Sequence, residues 1–365
     1  MTIQLSNISL VSNKMKALND VSLTFEAGSL NILVGMRGVV SGKTSLLRVI
    51  AGLERSHTGA VLFDNTDITK LSVQMRNVAF VHQQFINYTH MTVRQNISSP
   101  LDVAKLPANE IKIKVQTIAR QLNIESCLEQ FPSDLSGGQL QRTALARALV
   151  KDARVILLDE PLLNLDYKLR EALRDEIRDL LRKTGAIAVY ATNDPNEALA
   201  LGGKVFLFDE GNLIQQGDAA LVYREPINIA AARMMHEPEL NLFKGVLVEN
   251  EIVFGAKLYF PKNARFSSIK QGQYTFGVKP SHLSLLPTND DDFEFSMHVK
   301  LAEISGSETF LHIASQHLNF LVHLAGVHEY RIDSPIKIYL PLHKLFVFSE
   351  DGTCLMRPLS IPYNG

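Results

Sequence analysis

Through the first 35 residues, short apolar stretches and turn residues alternate in a way that predicts strands over "IQLSNISLV", "VSLTF" and "LNILVG", with Ala27-Gly28 supplying the turn before the last. The pattern then changes period. In "GKTSLLRVIAGL" the apolar positions Leu46, Leu47, Val49, Ile50 and Leu53 recur as on one helical face, and the helix is predicted to close near Gly52. Further on, "VILLDE" (155–160) is a continuous apolar run suited to a parallel strand covered on both faces. "KLREALRDEIRDLLRK" (168–183) reads as an amphipathic helix with Leu169, Ala172, Leu173, Ile177, Leu180 and Leu181 on its stripe and a solvated face of alternating charge. A strand "AIAVYAT", a helix "PNEALAL" and a strand "KVFLFDE" follow. Alternating strands and helices predict an α/β domain over residues 1–235.

After "HEPEL" the helical period disappears. "FKGVLVEN", "EIVFG", "KLYFP", "YTFGVKP", "SMHVKLAEIS", "TFLHIASQHLNFLVHL" and "IKIYLP" predict a small all-β barrel of OB type over 236–365. A chain of 365 residues is long enough for two such domains. His312, His317, His323 and His328 lack the tight pairing of familiar zinc sites; "TFLHIA" and "HLNFLVHL" read as a hairpin turning near Ser315-Gln316, with His312 and His323 at ordinary surface positions. Lys and Arg number 37 against 38 Asp and Glu, so no basic excess draws the whole molecule toward nucleic acid or acidic lipid. Cys127 and Cys354 are far apart and do not make a disulfide framework, which fits a reducing compartment. No apolar run approaches the ~18 residues of a membrane span, and "MTIQLSNISLVSNK" lacks the features of a signal peptide.

Three stretches carry chemistry. "VGMRGVVSGKTS" (34–45) stands between a predicted strand and a predicted helix, the setting of a phosphate-binding loop. Gly42, Lys43 and Thr44 supply the anion nest, the cation and the hydroxyl; Gly35, Gly38, Ser41 and Ser45 complete the candidate loop. Arg37 occupies the place of the first glycine in G-x-x-x-x-G-K-[ST], so measured from Gly35 the loop is two residues longer than the pattern. An ordinary strand-helix turn is the plain alternative. "VILLDEP" places Asp159 and Glu160 at the carboxyl edge of a strand, where one carboxylate can reach a magnesium shell and the other an attacking water; alone, such a pair is more often a cap or a solvated turn. In "LSGGQLQRTALARALV", Ser136, Gly137, Gly138 and Gln139 open a helix whose first residues let a phosphate approach without a Cβ in the way.

With the pentapeptide LSGGQ in place, residues 1–235 resemble the ABC ATPases. The resemblance implies that the signature of one subunit closes over ATP held by the other, so two ATPase subunits, identical or different, are implied. It matches Gln83 in "VAFVHQQFINY" to the glutamine that touches magnesium and faces the transmembrane subunits, and Asp166 in "LLNLD" to the acidic residue of the loop after Glu160, although Leu163 replaces a frequent Ser. Magnesium would then sit near Thr44, Gln83 and Asp159. "FGVKPSHL" and "GSETFLH" are similar to segments of the regulatory β-domain (TOBE-like) of carbohydrate and polyol importer ATPases. That likeness implies a peripheral subunit at the cytoplasmic face of a bacterial inner membrane, bound to two permease subunits and fed by an external solute-binding protein. A nucleotide-binding regulatory protein with negligible ATPase activity is the alternative.

Three departures stand out. In "YATNDPNEA", Asn193 takes the place of the family's switch histidine, and asparagine cannot accept a proton or become cationic. No aromatic stands at Val11 or Ser12 to stack on adenine, a contact worth about 1–3 kcal/mol on nucleic-acid platforms. The third is the long loop. Together they leave two expectations: bound ATP with slowed turnover at this chain's own site beside a different ATPase, or a pair of identical chains that tolerates Asn193.

Overall fold

A computed structural model describes residues 1–12, 15–36, 41–55, 57–163, 165–249, 251–254, 258–261, 264–289, 292–315 and 318–359. Arg37, Gly38, Gln316 and His317 lie outside the described residues. The chain divides into two compact units, Met1–Ala220 and Leu221–Gly365.

In the first unit, β1 (Thr2–Ser12), β2 (Met15–Glu26), β4 (His57–Phe63) and β5 (Thr66–Asp67) form an antiparallel sheet in the order β2-β1-β4-β5. A second sheet runs β10-β9-β3-β8-β7-β6, built from β3 (Leu30–Gly35), β6 (Val78–Val81), β7 (Val155–Asp159), β8 (Ile187–Thr192), β9 (Lys204–Asp209) and β10 (Asn212–Asp218). All its pairings except β9 with β10 are parallel. Strands covered on both faces need apolar residues at every position, and β3, β7 and β8 are buried throughout. Helices α1 (Lys43–Ala51), α2 (Val93–Val103), α3 (Ala108–Gln121), α4 (Gly137–Leu149), α5 (Tyr167–Thr184) and α6 (Pro195–Leu201) complete the unit. One core joins both sheets through α1: Leu46, Leu47, Val49 and Ile50 pack with Ile3, Phe25, Leu33, Leu157, Val189 and Phe206. Each such side chain contributes about 1.5–3 kcal/mol by leaving water.

Helix α1 ends at Gly52, whose φ of 77° no β-carbon residue adopts readily. The Arg76 guanidinium takes over its last carbonyls, donating Nη1 to Val49 O at 2.8 Å and Ile50 O at 2.9 Å. Along α5 the buried stripe is narrower than the apolar pattern: Leu173, Ile177 and Leu181 are buried, whereas Leu169 and Ala172 are exposed.

Helix α7 (Ala219–Arg224) crosses the division between the units, and α8 (Ile229–Met235) belongs to the second. Within that second unit Ala232 of α8 is buried with Leu240, Phe346 and Phe348. There, β11 (Asn241–Leu247), β12 (Glu251–Phe254), β13 (Leu258–Pro261), β14 (Gly272–Val278), β19 (Phe346–Phe348) and β20 (Cys354–Met356) run in the order β13-β12-β11-β14-β19-β20. A companion sheet, β17-β16-β15-β18, contains β15 (Asp292–Ser305), β16 (Glu308–Ala314), β17 (Asn319–Ala325) and β18 (Pro335–Pro341). Their inner faces share one core, in which Phe243, Phe254, Phe276, Phe295 and Phe320 make ring contacts. His312 and His323 lie on the expected hairpin, beside Glu303 and Glu308 at 3.6 Å and 3.2 Å.

Candidate nucleotide site

Parallel strands end together, so the residues that leave their carboxyl ends meet in one place. Gly35 ends β3, Asp159 ends β7, Asn193 follows β8, and Gln83 stands two residues beyond β6. Gly42 precedes α1 with φ 91°, and a Cβ there would come within 2.4 Å of Ala17 O. Only glycine fits that approach. A Cβ on Gly35 would fall 2.5 Å from Ser41 Oγ and 2.6 Å from Lys43 Nζ, so its bareness makes room for the lysine head.

Lys43 is 4% exposed; its Nζ donates to Ser41 Oγ at 2.8 Å and to Asn193 Oδ1 at 2.6 Å. The other end of the same amide, Asn193 Nδ2, donates to Glu160 Oε1. Thr44 Oγ1 donates to Asp159 Oδ1 at 3.0 Å, and Ser45 is half-buried in the first turn of α1. Glu160 sits at φ 45°, uncommon for a residue with a side chain, and is held by its N–H on Ala191 O at 3.0 Å. Burial pushes the Lys43 ammonium below its usual range against the pull of Glu160 and Asp159. Burial likewise pushes Asp159 up, opposed by the Thr44 hydroxyl, Lys43 and Arg48. Glu160 is raised first by burial, with Lys43 opposing and Asp159 adding. One cation faces two carboxylates in a poorly hydrated place.

The signature residues are displayed differently. Ser136 Oγ accepts from Gln139 N at 3.4 Å while Gln139 Oε1 accepts from Ser136 N at 2.9 Å, a capping box that starts α4. A Cβ on Gly137 would meet nothing among the described residues within 4 Å, and one on Gly138 only Leu169 Cδ1 at 3.8 Å. Among the described residues no contact requires glycine at either position. Asp166 caps α5, accepting from Leu169 N at 3.0 Å. Val11 is exposed near the end of β1, where Ser12 closes the strand. Gln83 is exposed, and among the described residues no hydrogen bond joins it to Thr44 or Asp159.

Several residues of the site's frame escape a reading of the sequence. Gln141, fully buried on α4, donates to Pro161 O and so ties the signature helix to the segment after Glu160. Arg170 donates to Leu165 O at 3.2 Å and faces Asp194 at 3.8 Å. Glu197 is buried behind Asn193 with Tyr190 and Thr192 on its carboxylate. Glu160, Leu162, Leu163, Arg170, Asn193 and Asp194 are among the walls of an open cleft of about 360 Å³.

A glycine-flanked lysine and threonine opening a helix beside an Asp-Glu strand end define a P-loop nucleotide site. The ABC transporter family description matches residues 18–163. The sn-glycerol-3-phosphate import ATP-binding protein of Brucella abortus (strain 2308) is 32% identical over 93% of this chain and 94% of its own length. The xylose/arabinose import ATP-binding protein of Haloferax volcanii is 35% identical over 81% of this chain and 78% of its own. Among solved structures, a dimeric ATP-binding cassette in a post-hydrolysis state with ADP and Pi aligns with a TM-score of 0.54 at 27% identity, over 60% of this chain and 98% of that one. The chain belongs to the ABC transporter ATP-binding proteins, and it binds and hydrolyses ATP to drive transport.

Proposed function

We propose that this chain is the ATP-binding subunit of an importer for a carbohydrate or a polyol and its phosphate ester. In this reading it works as one of two ATPase subunits on two permease subunits at the cytoplasmic membrane face, with an external solute-binding protein delivering cargo. The names of the glycerol-phosphate and pentose import relatives support the cargo class. The iron(III) import ATP-binding protein of Mannheimia succiniciproducens, 31% identical over 80% of this chain, marks the breadth of cargo in such relatives.

The observation that carries the mechanism is the linked trio Lys43–Asn193–Glu160 beside the pair Thr44–Asp159. A hydroxyl and a carboxylate in contact are hard oxygen donors, a set that fits magnesium when phosphate oxygens and water complete the shell. Thr44 and Asp159, with Gln83, would hold that ion, which offsets phosphate charge when bound. Lys43 exchanges Asn193 and Ser41 for phosphate oxygens. Glu160 then accepts a hydrogen bond from the attacking water and orients it in line with the γ-phosphorus, and the bond to the β–γ bridging oxygen breaks as ADP leaves. Ser136, Gly137 and Gly138 of the second subunit cover the same phosphates, a reading supported by glycines that no contact among the described residues requires.

The test is Glu160→Gln in the complex recovered from mild detergent. Turnover should fall by about 10²- to 10⁴-fold, and the ATP-bound pair should persist on size exclusion. Unchanged turnover and no copurifying permease would overturn the reading.

A further inference from the structure

A buried carboxylate that the mechanism above does not use lies directly behind the site. Glu197 is 7% exposed in the first turn of α6. Its Oε1 accepts from the Tyr190 hydroxyl at 2.5 Å, and its Oε2 accepts from Thr192 Oγ1. Tyr190 is fully buried and Thr192 nearly so. A hydroxyl has one proton, and when Thr192 gives it to Glu197 its lone pairs turn to other donors. One of them accepts from Asp194 N at 3.0 Å. The residues on both sides of Asn193 are thus tied to one side chain: Thr192 by its hydroxyl, Asp194 through that hydroxyl's lone pair. Asp194 in turn caps α6, accepting from Asn196 N at 2.9 Å and Glu197 N at 3.3 Å. The clamp closes on itself around a single free residue, whose amide spans Lys43 and Glu160.

We infer that Glu197 is a positioning residue: through Thr192 it fixes the turn that aims the Asn193 amide between Lys43 and Glu160. The inference rests on the reading that Asn193 acts at the nucleotide site. The arrangement matters more with asparagine than with a ring in that position, because a short amide reaches both partners only from one backbone setting. A buried carboxylate is tolerated when it is hydrogen-bonded, and both oxygens of Glu197 find protons. The polarity of the network also predicts its weak point. Glutamine at 197 can keep its oxygen on Thr192 and turn its NH2 to Tyr190, whose hydroxyl also accepts; leucine can do neither.

ATP turnover by the full-length chain assembled with its permeases provides the test, using Asn193→Ala, Thr192→Val, Thr192→Ser, Glu197→Gln, Glu197→Leu and the double variant Asn193→Ala/Thr192→Val. Asn193→Ala and Thr192→Val should each lower kcat by about tenfold, the scale of one lost hydrogen bond, with KM for ATP changed by less than about twofold. The double variant should be no slower than Asn193→Ala alone, since both substitutions remove the same thing. Thr192→Ser and Glu197→Gln should stay near the parent rate; Glu197→Leu, where it folds, should match Thr192→Val. Parent-like kcat for Thr192→Val, or losses that multiply in the double variant, would overturn the inference while leaving the role of Asn193 intact. An Asn193→Ala variant with parent kcat would overturn both.

Discussion

Glu160 and Asn193 are joined by a hydrogen bond from Asn193 Nδ2 to Glu160 Oε1, and the roles proposed for them are open to titration. Burial first, then the neighbouring Asp159, raises the Glu160 carboxyl above its ordinary 4.5, while Lys43 and the Asn193 amide pull it back. A raised carboxyl takes up its proton at a higher pH than free glutamate, and the protonated form no longer accepts from water. Turnover should therefore fall on the acid side beginning above pH 4.5, and no second step should belong to residue 193, because an amide does not titrate. Asn193→His should add a step in the histidine range, about pH 6.5. Rates of hydrolysis against pH for the two proteins check this; identical profiles would mean that residue 193 does not reach the reacting groups. Much of the chemistry was legible here. Lys43, Thr44, Asp159 and Glu160 are neighbours in pairs along the sequence, and their types name their tasks. The Lys43–Asn193 contact spans 150 positions and could be anticipated only from the likeness to a family.

At the scale of elements, the seat of α1 decides whether the loop can present Lys43 at all. Its start is pressed against β2, where Gly42 faces Ala17 O, and its end is held by Arg76. Gly42→Ala combines a φ of 91° with a Cβ 2.4 Å from a backbone oxygen, and backbone cannot swing aside as a side chain can. Such a substitution should cost about 1–3 kcal/mol or more and lower the melting temperature by several degrees as well as weaken ATP binding. Thermal denaturation followed by circular dichroism measures it; an unchanged melting point would show that the loop can settle elsewhere. The helical period of α1 and the buried run of β7 were plain in the sequence because each depends on local spacing. Arg76 was not, since its partners lie 27 and 26 positions earlier and nothing nearby marks an arginine as a cap. Leu169 and Ala172 fit the apolar stripe of α5 yet remain exposed, because the stripe is wider than the face its neighbours cover. The packing of α8 was equally hidden: it has a helix's pattern, but its buried Ala232 packs with strands.

For the whole molecule, the two halves of the nucleotide machinery have diverged unequally. All three departures, the long loop, Asn193 and the missing aromatic near Val11, bear on this chain's own ATP, whereas LSGGQ is complete and capped. Among the described residues no helix is long and apolar enough to cross a membrane, and the formal net charge is −1. Were those departures to slow this chain's own site, its signature could still serve a second ATPase, and the pairing can be read from two substitutions. Gly137→Asp puts a carboxylate where a partner's phosphates would lie, yet among the described residues the new Cβ meets nothing within 4 Å and an acid at a helix N-terminus is favourable. Its melting temperature should equal the parent's while ATP turnover of the assembled complex falls by at least about a hundredfold, as expected from a loss of about 3 kcal/mol when a buried charge meets its like. Lys43→Ala reports on the chain's own site. Equal loss in the two variants means a pair of identical chains; loss confined to Gly137→Asp means a different partner, with hydrolysis on the partner's nucleotide. If Gly137→Asp turns over ATP as the parent does, the glycines of LSGGQ face no nucleotide, and the composite site is not how this protein works.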